Sequence, residues 1–216
     1  MNRKWISKSK RLAKIRSNIV HQPLGIASDV NDLSTKILGP KGSLLGHIAQ
    51  DMIGRDLDVN VYSSNAFHFA PEWAGLDSKV LAEKLQKWMR VYPDDRAVKK
   101  LQAFLGYLQA GGKISIVSAM TTALIDSLLD KGYLILGPVE SSWLWGRRKV
   151  PNESVYDDIR GHAEGHYVVV YKKDAENYYI SDPYPTGLEK DGLYTLNKDI
   201  YLTTLVNYDA EFIAVK

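Results

Sequence analysis

The chain predicts an α+β fold, and two observations carry that reading. Amphipathic runs with apolar residues three and four apart dominate the stretch up to residue 131, the period of a helix that buries one face. Beyond residue 160 the pattern changes to short runs rich in Val, Tyr and Ile: YVVVY, YYIS, LYTL and EFIAV. Those residue types favour strands, and such runs in close succession favour antiparallel neighbours over parallel ones.

The elements follow in order. Residues 4–16 form a short helical pattern with Trp5, Leu12 and Ile15 on one side, opposed by its density of like charges. SNIVHQPLG is irregular, because Pro23 disfavours a helical residue before it. Asp29–Lys36 reads as a helical turn capped by Ser28. Ser43–Ile53 is a helix with Leu44, Leu45, Ile48, Ala49, Met52 and Ile53 on its apolar stripe, behind the turn LGPKGS and stopped by Gly54. DVNVYS is a strand with Val59, Val61 and Ser63 on one face.

Two amphipathic helices follow, Gly75–Tyr92 and Asp94–Gln109, ended by Gly111 and Gly112. They are read as a helical hairpin inserted at 72–112. KISIV is a short strand, Met120–Lys131 a helix stopped by Gly132, and YLILGPV a buried strand terminated by Pro138. Trp143–Ile159 shows no period and is placed as a loop over the site, and Tyr184–Lys190 as a turn-rich loop. LYTL and EFIAV are strands around a short helix near Ile200–Val206.

At 216 residues, 45% hydrophobic and 25% charged, the chain has the composition of one globular domain. No apolar run approaches the roughly 20 residues of a membrane span, and the basic start lacks the apolar core of a secretory signal. A cytoplasmic protein is expected. The net charge of +3 is uneven: residues 1–17 hold seven basic residues and no acid, which leaves the remainder at −4. The organisation is therefore a basic tail at 1–17 and a single domain at 18–216. The tail offers contacts to nucleic acid or an anionic surface, but no aromatic-interleaved basic patch recurs in the body, which favours a solvated terminus.

The stretch GHYVVV, a polar turn KKDAEN, and YYISDP form an antiparallel hairpin in which the start of one strand meets the end of the other. His166 and Asp182 can then meet across the ladder, a base whose tautomer and orientation a carboxylate sets. Ordinary surface residues at strand ends are the competing account.

The two blocks GHYVVV and YYISDP resemble the histidine and aspartate blocks of the papain-like C39 and C39-like peptidases. The resemblance implies a papain-like fold, His166 as general base and Asp182 as its orienting partner. In the subgroup found beside ATP-grasp ligases, a glycine-rich turn, the nucleophilic cysteine, a helix, a glycine and a strand follow one another. GSLLGHIAQDMIGRDLDVNVYSS is similar to that arrangement, with Ser43 where the cysteine would stand. The chain has no cysteine, so no thiolate chemistry is available. The glutamine these families place ahead of the cysteine is not recognisable, and Gln22 lies too far upstream. Ser43 thus has three readings: a nucleophile activated by His166 at a helix N-terminus, an N-cap, or the mark of a degenerate site.

Other constellations are weaker. His162 and His166, four apart with Glu164 between them, have a metal-like spacing only on a helix, and no third ligand is evident, so no metal or cofactor is expected. His47 lies opposite the apolar stripe of its helix. His68, in NAFHFAPEW, either packs or lines a cleft, and GPKGS lacks the spacing of a phosphate loop. The implied function is recognition of a peptide or amide in a papain-like cleft, with serine-based or lost hydrolysis. A non-catalytic peptide- or protein-binding module is the alternative.

Overall fold

A computed structural model describes residues 43–151, 153, 155–183 and 192–216. The basic tail, the irregular stretch around Pro23, the helical turn at 29–36, the GPKG turn and the loop at 184–190 lie outside the described residues.

The described chain is mixed α and β, with six α-helices and a seven-stranded sheet among the described residues. In chain order the elements are α1 (Leu45–Ile53), β1 (Val59–Ser63), α2 (Ser78–Val91), α3 (Val98–Gln109) and β2 (Lys113–Ile116). Then come α4 (Thr122–Asp130), β3 (Leu134–Glu140), α5 (Ser141–Trp145), β4 (Gly165–Lys173) and β5 (Asn177–Ser181). β6 (Leu193–Asn197), α6 (Lys198–Val206) and β7 (Glu211–Val215) close the chain. The strand order is β2-β1-β7-β3-β4-β5-β6.

The expected antiparallel sheet is corrected at one edge. β1 pairs β2 in parallel, while every other adjacent pair is antiparallel. The reason is the connection: α2 and α3 stand between β1 and β2 and carry the chain back to the end where it began, which a parallel pair requires. The last strand, β7, then enters between β1 and β3 and joins the early strands to the late ones.

Helices cover both faces of the sheet. On one face Leu45, Ala49, Leu81, Leu85, Leu101 and Phe104 pack with Val61, Leu136, Val169 and Ile213. On the other, Ile125, Leu128, Leu144, Tyr201 and Leu205 pack with Ile135, Val168, Val170, Ile180 and Phe212. Val168, Val169 and Val170 thus alternate between the two cores, as consecutive strand residues must. All five residues of β7 are buried, so it is covered on both sides. Each fully buried Leu or Ile stabilises by about 1.5–3 kcal/mol relative to exposure, so these two layers dominate the fold's stability.

Two further expectations change. Pro138 does not end its strand: β3 continues to Glu140, with Pro138 opposite Tyr167. β7 leaves β3 after Leu136, so beyond that point β3 has a neighbour on one side only. A residue without an N–H is tolerated there. The stretch opening at Trp143 is not all loop either, because Ser141–Trp145 is α5, capped by Glu140 through Ser142 N–H and Trp143 N–H, each at 2.9 Å. One helical turn is too short to show a period.

Candidate active site

β4 and β5 form the hairpin that carries the site. Val169 is opposite Ser181 and Val170 opposite Ile180, with a bulge at Tyr171 before Lys172 meets Tyr179. The turn is tighter than six residues, since the strands extend into KKDAEN. Asp174 Oδ1 accepts from Glu176 N–H and Asn177 N–H and closes it. At the far end this register sets Asp182, one residue past β5, diagonally across from His166.

His166 and Asp182 meet there. His166 Nε2 lies 2.7 Å from Asp182 Oδ1, and both side chains are buried. The other carboxylate oxygen, Oδ2, accepts from Tyr194 Oη at 2.8 Å and from Trp145 Nε1 at 3.5 Å. The Trp145 ring packs against the imidazole with centroids 5.2 Å apart. Burial first, and then the charge of Asp182, push the Tyr194 phenol far above its ordinary value. It therefore remains a donor to the carboxylate at every working pH. Asp182 is fixed through its backbone as well: its N–H donates to Gly192 O at 2.8 Å. Gly192 has φ of +75°, and a Cβ there would lie 2.3 Å from Asp182 O, so glycine is required at this contact.

Trp145, Tyr194 and Gly192 were not singled out in the sequence. Tyr194 alternates inward with Leu196 along β6, a signal present in LYTL but common to any half-buried strand. Trp145 is one of several aromatics in an aperiodic stretch.

Ser43 stands just ahead of α1. Leu44, not Ser43, occupies the N-cap with φ −89° and ψ 144°, and no side chain caps the helix. The first intrahelical bond, Ile48 N–H to Leu44 O at 3.2 Å, fixes that boundary, which corrects the N-cap reading of Ser43. Tyr167 Oη donates to the Ser43 carbonyl at 3.1 Å. Tyr167 and His166 are consecutive on β4, so the hydroxyl that holds Ser43 points into the α1 layer and the His166 ring into the opposite layer with Trp145. Among the described residues no hydrogen bond joins Ser43 Oγ to the His166 ring. Ser43 instead lines a small cavity with Lys100, Phe104, Tyr208 and Glu211.

The other histidines among the described residues separate. His47 is half-buried on α1, and His162 is exposed and pairs through its backbone with Lys149. His68 is buried beside Glu211. Among the described residues no group of three His, Cys, Asp or Glu side chains is placed to hold a metal ion, and no helix is long and apolar enough to cross a membrane. Beside the start of β4 a cavity of about 1150 Å³ opens between α5 and the segment that follows it, with Trp143, Arg147 and Tyr156 in its walls. The Arg147 guanidinium lies 3.7 Å from the centre of the Tyr156 ring.

No family model, curated protein or solved structure matches the chain.

Proposed function

We propose that the chain forms a papain-like cleft that takes a peptide or amide, with His166 as base and Asp182 as the group that orients it. The observation that carries this is the buried His166–Asp182 contact, with Tyr194 and Trp145 both donating to the second carboxylate oxygen. A carboxylate engaged so firmly with Nε2 assigns the proton-transfer role to Nδ1. Hydrolysis from Ser43 requires its Oγ to reach Nδ1 past the start of β4; the ring then takes that proton as the oxygen bonds to the carbonyl carbon, and returns it to the leaving amine nitrogen. The uncapped N-terminus of α1 supplies backbone donors for the developing oxyanion.

Hydrolysis by this route is weak or lost. A hydroxyl resists deprotonation far more than a thiol, and the chain has no cysteine. That absence favours a second reading, a non-catalytic module that holds a peptide or partner protein in the same cleft.

The test uses a pool of fluorogenic peptide amides and the full chain as wild type, Ser43→Ala, Ser43→Cys and His166→Ala. Turnover that disappears in Ser43→Ala and His166→Ala supports serine hydrolysis. Turnover or epoxide labelling that appears only in Ser43→Cys supports a degenerate site. Peptide binding without turnover in any variant supports the non-catalytic module. Neither binding nor turnover in any form defeats the proposal.

A further inference from the structure

A second imidazole–carboxylate pair lies apart from His166. Ser63 and Glu211 are register partners on β1 and β7, and Glu211 Oε1 accepts from Ser63 Oγ at 3.0 Å. His68 Nδ1 lies 2.7 Å from the same oxygen. The His68 side chain comes from the aromatic loop after β1, which Asn65 shapes by accepting from Phe67 N–H and His68 N–H. Phe69 and Phe104 pack against the imidazole, whose residue is only 7% exposed.

This arrangement does more than tie a loop to the sheet. Nδ1 is committed to Glu211, so Nε2 is the ring nitrogen presented to the cavity that His68 lines. That cavity measures about 730 Å³, within the range of small-molecule sites. Phe67, Trp73 and Trp88 give it aromatic walls, and Phe67 is 75% exposed at its mouth. The charges around it are unequal in availability. Lys100 is matched by Asp209, with both carboxylate oxygens at 2.6 Å, and Asp95 Oδ1 accepts from Ala97 N–H. Arg96 lies over the Phe67 ring at 5.7 Å, with no carboxylate at ion-pair distance among the described residues. Asp95 keeps its charge beside Arg96, so the guanidinium and the imidazole act on a ligand as directed donors and not as a surplus of positive charge.

We propose that this cavity binds a small aromatic carboxylate, its ring between Phe67, Trp73 and Trp88 and its carboxylate held by Arg96 and His68 Nε2. When the His68–Glu211 pair carries two protons, one lies between Oε1 and Nδ1 and the other is on Nε2, which donates to the ligand oxygen. The flat walls suit stacking, and a guanidinium matches a carboxylate in shape as well as charge. The site shares no residue with the His166–Asp182 contact and stands without the peptidase reading.

The experiment labels the histidines of the full chain with ¹⁵N and titrates it with indole-3-acetate, using 3-methylindole and acetate as probes that lack the carboxylate or the ring. Indole-3-acetate is expected to shift the His68 ring resonances saturably and to bind roughly fivefold tighter than 3-methylindole, the preference a partly exposed charge pair supplies. Arg96→Gln, an exposed substitution that leaves the core intact, is expected to remove that preference. Unmoved His68 resonances at millimolar probe overturn the proposal. So does equal binding of the two indoles, or a response confined to His166.

Discussion

Tyr194 decides how firmly Asp182 can hold His166. Its hydroxyl donates to a carboxylate oxygen at 2.8 Å, where Trp145 Nε1 donates at the long limit of 3.5 Å. Tyr194→Phe keeps the ring and removes one short donor to a buried carboxylate. A stability loss of about 1–3 kcal/mol is expected in urea unfolding, together with a change in the His166 ring ¹⁵N shifts. Unchanged stability and shifts in Tyr194→Phe would show that the Tyr194 hydroxyl contributes little to holding the carboxylate. The same network shows what the sequence can reveal at this scale. His166 and Asp182 were legible because a hairpin with period 2 brings its open ends together, and GHYVVV and YYISDP mark both ends. Tyr194 and Trp145 were not, because each arrives from an element whose position depends on contacts far away in the chain. A half-buried tyrosine in LYTL looks the same in sequence whether it packs on a core or holds an aspartate.

The seat of α1 depends on a glycine that the sequence does not distinguish from its neighbours. Gly46 is buried, and a Cβ built on it would lie 2.5 Å from the Ala103 carbonyl carbon and 2.6 Å from Phe104 N. Both atoms are backbone, so neither can turn aside, and α1 and α3 can approach this closely only with glycine at 46. Gly46→Ala is expected to destabilise by about 1–3 kcal/mol, or more if α3 cannot shift, despite the better helix propensity of alanine. A variant as stable as wild type in urea would mean that the two helices slide past each other easily. Because Ser43 sits two residues before Leu45, the same change is also expected to lower any Ser43-dependent turnover. Helix faces such as Leu81, Leu85 and Leu101 were legible from their spacing, and the Val59, Val61 and Ser63 face of β1 from alternation. The parallel edge and the passage of β3 through Pro138 were not. Both follow from which strand lies next door, and pairing partners leave no periodic trace in a single strand.

At the scale of the molecule, Glu211 joins the early strands to the last one, and its titration is read in global stability. It opens β7 between β1 and β3, and it is bonded to Ser63 on β1 and to His68 in the loop beyond. Burial is the largest influence on its carboxyl and raises it above the ordinary value of 4.5, with the charge of Asp209 acting in the same direction. The hydrogen bonds from His68 and Ser63 oppose that rise without reversing it. The unfolded chain therefore gives up this proton first as the pH increases. Between 4.5 and the raised folded value the native state binds more protons than the unfolded one, so the stability contributed by neutral Glu211 falls through that window and is gone above it. Asp157 and Asp174 run the other way, each lowered by backbone N–H bonds, so the wild-type curve alone does not isolate Glu211. Glu211→Gln does, because the amide keeps the size and has no proton to lose, and the exposed aspartates cancel in the difference. Urea unfolding of both proteins across pH 4 to 8 is expected to show wild type losing stability relative to Glu211→Gln as pH rises from 4.5, then levelling off. A flat difference would mean that burial and the bonds from His68 and Ser63 cancel at this carboxyl, and one that grows in favour of wild type would mean that those bonds hold it charged.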